Sequence, residues 1–87
     1  MEAKSTGKII APTNILRAAR TALDLTQKDL AQIAGITERT LNSLETGRAV
    51  QTETRDAVQR ALEARGVEFT NGSAPGFRLP KDKEVRL

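Results

Sequence analysis

Two short helices separated by only two residues, Gly35 and Ile36, are the strongest constraint that this sequence places on its fold. Thr26 is a good N-cap for the first helix, and Asp29 stands where its carboxylate can bond back to the Thr26 amide in a capping box. Gly35 suits the left-handed residue that ends such a helix. Thr37 can cap the second helix, which ends at Thr46-Gly47. Helices this short cannot run antiparallel across so tight a turn, so the sequence predicts that they cross at a steep angle.

A further helix is predicted on each side of this pair. Thr13 can cap the first of them, which ends near Asp24, whereas Thr52 opens the last one and Gly66 stops it. Apolar residues recur at helical spacing in all four segments. The predicted inward residues are Ile15, Leu16, Ala19, Ala22 and Leu23, then Leu30, Ala31 and Ala34, then Leu41 and Leu44, and finally Thr54, Val58, Ala61, Leu62 and Arg65.

The apolar pattern changes to strict alternation beyond Gly66. Val67 and Phe69 alternate with polar residues, as do Phe77 and Leu79, on either side of a loop rich in Gly, Pro and Asn. This pattern predicts a β-hairpin. We therefore expect a mainly α protein with a flexible arm over residues 1–12, a four-helix domain over 13–66, a hairpin over 67–80 and a flexible tail over 81–87.

The composition excludes several classes of function. The chain has no His and no Cys, so it lacks the commonest general base, the commonest transition-metal ligand and any thiol nucleophile. Its acidic residues are scattered, and we expect no enzymatic activity, no metal and no cofactor. Phe69 and Phe77 are the only aromatic residues, too few to bind single strands by base stacking. No apolar stretch is long enough to span a membrane, and we expect a cytoplasmic protein without a membrane partner.

The net charge of +3 is spread along the chain. Residues 1–35 carry a small positive excess, residues 36–66 balance to zero and residues 67–87 carry one positive charge. No segment is polycationic, so an acidic partner would have to be recognised through geometry and not through a basic block.

The run from Gln27 to Arg48 carries a specific resemblance. Its opening Gln27-Lys28-Asp29-Leu30-Ala31, its turn Ala34-Gly35-Ile36-Thr37 and its ending Leu44-Glu45-Thr46-Gly47-Arg48 resemble the phage repressor/Cro-like (Xre-like) helix-turn-helix family. The similarity extends from about Thr13 to Arg65. It implies a compact lambda-repressor-like domain that binds double-stranded DNA through its second motif helix, the recognition helix.

The outward residues of the recognition helix are candidates for base contact. Arg39 can pair bidentately with a guanine edge, and Asn42 can read adenine. The Glu38 carboxylate can accept a hydrogen bond from cytosine N4, or it can simply hold Arg39 in place. The resemblance implies base contacts for Glu38, Arg39 and Ser43. The alternative is that these residues form an ordinary solvent-exposed helix face without a binding role.

Phosphate contacts are expected around this helix. Gln27 lies in the first turn of its helix, where free amides attract anions, and the resemblance implies that it touches the DNA backbone and braces the recognition helix. The resemblance also implies a phosphate contact by Arg48 and an ion pair between Arg20 and Glu45. The arm lysines Lys4 and Lys8 either follow DNA or have no role. The remaining candidates for backbone contact are Thr26, Lys28, Thr37, Thr40 and Thr46.

The hairpin allows two interpretations. Val67, Phe69, Phe77 and Leu79 pack back on the last helix, or strands of two chains pair edge to edge as a dimer interface. We expect the second, because an isolated two-stranded hairpin is only marginally stable. Such a homodimer would set two recognition helices about 34 Å apart, one turn of DNA. The expected function is a repressor on a palindromic operator, and the alternative is an antitoxin or anti-activator that captures a partner protein.

Overall fold

The computed structural model describes residues 11–71 and 75–80. Helix α1 spans Thr13–Ala22, α2 spans Gln27–Ala34, α3 spans Glu38–Glu45 and α4 spans Thr52–Ala64. Strands β1, Glu68–Asn71, and β2, Pro75–Arg78, follow and pair antiparallel. The predicted fold class, four helices followed by a β-hairpin, is confirmed.

The α2–α3 unit is built as its sequence predicts. The Thr26 side chain accepts from the Asp29 amide at 3.0 Å, and Asp29 Oδ2 accepts from the Thr26 amide at 3.0 Å, which completes the capping box. Gly35 takes the left-handed conformation with φ 77°. Thr37 Oγ1 then accepts from the Thr40 amide at 3.0 Å. These local bonds fix both helix starts and the turn between them.

The two ends of α1 differ from their prediction. Pro12, and not Thr13, is the N-cap, and its carbonyl accepts from the amides of Ile15 and Leu16 at 3.0 Å. The helix ends at Ala22, earlier than predicted, because Asp24 adopts φ 61° and turns the chain. An Asp tolerates this left-handed region better than most non-glycine residues do.

The core lies where all four helices meet. The six largest fully buried side chains among the described residues come from all four helices. Burying each such side chain contributes roughly 1.5–3 kcal/mol relative to exposure. One predicted inward residue is misplaced, since Arg65 follows the end of α4 as its C-cap and is exposed. The enclosed residues are Leu16, Leu30, Leu41, Leu44, Val58 and Leu62.

The chain before α1 belongs to the folded domain. Ala11, expected in the flexible arm, is only 1% exposed and lies in the core cluster. Its amide donates to Oε1 of the buried Gln59 on α4 at 3.0 Å, and Gln59 Nε2 donates to Glu63 Oε2 at 3.2 Å. The pairing of Gln59 stabilises a polar side chain that would otherwise be costly to bury.

The hairpin packs against its own chain. Phe69 lies opposite Phe77 in the strand register, and β2 contacts α1. Val67 and Phe69 are 3% and 7% exposed and join the helical core. The prediction that these two side chains form a dimer interface is therefore wrong: the core of one chain already covers them. Phe77 and Leu79 keep part of their surface accessible.

No helix among the described residues combines the length and the apolar character needed to cross a membrane.

Candidate nucleic-acid interface

The outer side of α3 is polar and accessible, while its inner side is sealed in the core. Glu38, Arg39 and Asn42 are exposed. Leu41 and Leu44 are 0% and 1% exposed and fix the helix on the domain. Of the remaining residues predicted to touch bases or phosphates from this helix, Thr40 and Ser43 are half-buried and Thr46, just past its end, is exposed.

A buried ion pair joins α1 to α3, as predicted. Arg20 Nε donates to Glu45 Oε2 at 2.7 Å and Arg20 Nη2 donates to Glu45 Oε1 at 3.0 Å, a bidentate arrangement. The two side chains are only 11% and 3% exposed. Arg20 Nη1 also donates to the Leu25 carbonyl oxygen at 2.8 Å. The pair therefore fixes the end of α3 against both α1 and the segment that leads into α2.

Gln27 connects this ion pair to the exposed face of α3. Its Nε2 donates to Glu45 Oε1 at 3.0 Å and to Asn42 Oδ1 at 3.3 Å. The first residue of α2 is thus bonded to two residues of α3. The bracing role that the resemblance implies for Gln27 corresponds to these two bonds, although their partners could not be read from the sequence.

A cleft of about 150 Å³ opens beside this network. Arg17, which sequence reasoning did not single out, lines the cleft together with Arg20, Gln27, Asn42, Glu45 and Thr46. Arg17 is exposed and lies one helical turn before Arg20. The spacing of the two arginines in the sequence could have indicated that both lie on the same side of α1. Arg20 balances the charge of the Glu45 carboxylate in this cleft, so the exposed Arg17 is left as the cation nearest to the start of α2, where helix amides favour an anion.

The threonines around α3 have local partners in the structure. Thr37 Oγ1 donates to Thr40 Oγ1 at 2.8 Å, and Thr46 Oγ1 donates to the Asn42 carbonyl at 2.9 Å. Thr26 caps α2. These hydroxyl groups therefore already stabilise helix ends. The Thr37 and Thr46 hydroxyls already donate to these partners, so either would have to turn before it could donate to a phosphate.

The start of α2 carries one perturbed carboxylate. The amide and hydroxyl of Thr26 hold the pKa of Asp29 below its ordinary value, because they stabilise the charged form. Lys28, a predicted phosphate contact, is exposed beside it. The negative charge of Asp29 stabilises the helix start through the macrodipole, while Lys28 extends toward solvent.

The segment after α3 adds a second accessible surface. Arg48 is exposed just past Gly47, and its amide donates to the Ser43 carbonyl at 2.9 Å. A groove of about 360 Å³ runs between α3 and the start of α4, where Gln51 provides no side-chain cap. Its lining residues are Thr40, Ser43, Ala49, Val50, Gln51 and Thr54.

Arg55 is a second arginine that sequence reasoning missed. It lines a cavity of about 230 Å³ that Arg48 and Thr13 also line. Its Nε is buried without a hydrogen-bond partner among the described residues. The arm lysines Lys4 and Lys8 lie outside the described residues.

Comparison with known proteins agrees with this geometry. The family model described as Helix-turn-helix (HTH_3) matches residues 16–65, which include most of α1, all of α2 and α3, and all of α4. A search of the curated proteins found no match. The matched segment covers more than half of the 87 residues and contains the Arg20–Glu45–Gln27 network together with the exposed face of α3. The chain therefore belongs to the Xre/lambda-repressor-like helix-turn-helix family of DNA-binding transcription regulators.

Proposed function

We propose that this protein is a transcriptional repressor that binds a near-palindromic operator as a homodimer and reads its sequence with α3. The observation that carries the proposal is the exposed polar face of α3, held from behind by buried leucines and by the Arg20–Glu45–Gln27 network. A helix so supported can enter the major groove of B-DNA, which is about 12 Å wide, without losing its position on the domain.

Direct base contact is assigned to four residues of α3. Arg39 is exposed, carries a planar guanidinium and suits the O6 and N7 acceptors of guanine. Glu38 accepts from cytosine N4 or orients Arg39. Asn42 and Ser43 lie one helical turn later, so they reach the neighbouring base pairs.

Backbone contact is assigned to the two ends of this surface. At one end are Gln27, Lys28 and the newly identified Arg17, close to the free amides at the start of α2. At the other end are Arg48 and the groove beside the uncapped start of α4. Phosphates bound at both ends would fix the register of α3 in the groove. The threonine hydroxyls of residues 26, 37, 40 and 46 supply further contacts.

The dimer interface is assigned to the accessible part of the hairpin. Phe77 and Leu79 are half-buried, whereas Val67 and Phe69 are enclosed in the chain's own core. Along the described strands, β1 and β2 pair only with each other, so each has a free outer edge. A second copy that pairs with such an edge would satisfy its backbone groups.

Mobility-shift measurements test the DNA assignment. A duplex enriched from a random library by the wild-type protein is used as the probe. Arg39→Ala is expected to weaken binding about 10- to 100-fold, the usual effect of losing a bidentate base contact. Arg60→Ala, which removes an exposed arginine of α4, is the charge-matched control. Equal binding by Arg39→Ala and wild type would refute the assignment.

The partner-capture alternative rests on the same hairpin. Its apolar surface is reduced to Phe77 and Leu79, because Val67 and Phe69 are enclosed. A stoichiometric partner that is lost in Phe77→Ser, together with an absence of salt-sensitive DNA affinity, would favour the alternative. A salt-sensitive DNA affinity of the isolated wild-type chain, without any partner protein, would favour the regulator.

A further inference from the structure

We propose that Gln27 holds the side-chain amide of Asn42 in a single orientation, so that Asn42 presents its NH₂ group to the DNA and selects a base with a major-groove acceptor. This inference rests on the proposed function of α3 as a recognition helix. A free asparagine amide can turn by 180° and offer either its oxygen or its nitrogen. What it recognises therefore depends on what fixes it.

The orientation is set first by the buried ion pair. Glu45 is bound through both oxygens by Arg20, at 2.7 and 3.0 Å, and its side chain is only 3% exposed. An ionised carboxylate can only accept hydrogen bonds. The group of Gln27 that lies 3.0 Å from Glu45 Oε1 must therefore be its NH₂.

The same NH₂ then determines the orientation of Asn42. Its second hydrogen is directed to Asn42 Oδ1, 3.3 Å away. A donor at this distance requires an acceptor, so the oxygen of Asn42 faces Gln27 and the nitrogen lies on the opposite side of the amide. Asn42 is exposed, and no group of residues 11–71 and 75–80 accepts from its Nδ2. A chain of bonds that begins at Arg20 thus ends in two free N–H donors on α3.

This polarity restricts the base that Asn42 can face. Guanine offers N7 and O6, adenine offers N7 and thymine offers O4 as major-groove acceptors, whereas cytosine offers only its N4 amino donor. The outward NH₂ of Asn42 therefore disfavours cytosine at the contacted position. The sequence alone predicted that Asn42 reads adenine. With its NH₂ group facing the DNA, Asn42 can bind any base that presents a major-groove acceptor.

Asn42→Asp replaces the hydrogen-bond donor that faces the DNA by an acceptor, with little change in the shape of the side chain. One carboxylate oxygen still accepts from Gln27, and the other replaces the outward NH₂ by an acceptor. The variant is expected to gain cytosine at the contacted position. Asn14→Asp on α1 is the matched control, because it adds the same charge at another exposed asparagine.

Gln27→Ala removes the hydrogen bond that fixes the orientation of the Asn42 amide and leaves Asn42 itself unchanged. The Asn42 amide then turns freely, so discrimination at the contacted position is lost, by about fivefold for one hydrogen bond. A Gln27 that only contacted phosphate would behave differently. Its loss would weaken all sequences uniformly.

The experiment is a binding-site selection from random duplexes with wild type, Asn42→Asp, Gln27→Ala and Asn14→Asp, each first shown to be folded by circular dichroism. We expect the selected base to change at one base pair per half-site. Asn42→Asp should select cytosine there, Gln27→Ala should select no particular base, and Asn14→Asp should select the same base as wild type. Unchanged base preferences in Gln27→Ala, with only a uniform loss of affinity, would overturn the inference and leave the proposed function intact. A wild-type selection that enriches no sequence would instead overturn the proposed function.

Discussion

Replacing Glu45 by glutamine tests whether the buried ion pair holds α3 in place. The substitution keeps the shape of the side chain but leaves the Arg20 guanidinium, 11% exposed, without its counter-charge. It also removes the ionised acceptor that receives the Gln27 NH₂. Stability and DNA binding should therefore fall together.

The magnitude follows from the burial of the pair. Breaking a buried ion pair by removing one partner costs about 3–5 kcal/mol, and the slight exposure of Arg20 places this site at the lower end, near ~3 kcal/mol. In a domain of this size, 1 kcal/mol lowers the melting temperature by roughly 4–8 °C, so Glu45→Gln should lower it by roughly 12–24 °C. The loss is a large fraction of the few kcal/mol that stabilise a small domain.

Thermal unfolding followed by circular dichroism, with urea unfolding in parallel, measures this effect. Glu68→Gln is the matched control, since Glu68 pairs with Arg78 at 3.8 Å with both side chains more than two-thirds exposed. An exposed pair is worth about 0–1 kcal/mol, so the control should melt within a few degrees of wild type. A Glu45→Gln variant that melts with the control would refute the reasoning.

Three further perturbations follow from the structure. Because the pKa of Asp29 is lowered in the folded state, its carboxylate contributes stability that is present above its unfolded pKa of about 3.9 and lost as the pH falls through the folded value. Asp29→Asn should therefore reduce the loss of melting temperature on acidification, measured by thermal unfolding at successive pH values. A loss equal to that of wild type would contradict the capping role. Gly66→Ala should destabilise the fold by about 1–2 kcal/mol in urea, because Gly66 has φ 96° and a Cβ there would lie 2.8 Å from Pro80 Cβ; wild-type stability would contradict this. Arg48→Ala should weaken all duplexes alike and reduce the salt slope of binding by about one, whereas Arg39→Ala should relax selectivity at one base pair; the opposite assignment of these two effects would refute their roles.

The helices could be predicted because their signals are local. The Thr26 capping box and the left-handed Gly35 need only neighbouring residues to act. The end of α1 was predicted near Asp24, and the helix stops slightly earlier, at Ala22, because Asp24 adopts the left-handed region, which an Asp does only in some contexts. Gln59 was missed as a buried residue for a different reason: its partner, the Ala11 amide, is distant in sequence.

The hairpin and the bracing network show what local patterns leave open. Alternation at Val67 and Phe69 indicates an apolar face but does not say whether the same chain or a second one covers it. The exposed face of α3 was correctly predicted from helical periodicity. The two partners of Gln27 depend on how α2 crosses α3, which the chain order alone does not give.

Methylation interference tests most directly whether α3 enters the major groove. Dimethyl sulfate methylates guanine N7 in the major groove and adenine N3 in the minor groove, so one treated duplex carries both probes. The selected operator should lose binding when guanines in each half-site are methylated at N7, whereas N3 methylation of adenines in the same half-sites should have little effect. Binding that tolerates N7 methylation throughout both half-sites but fails on N3 methylation would contradict the placement of α3 in the major groove.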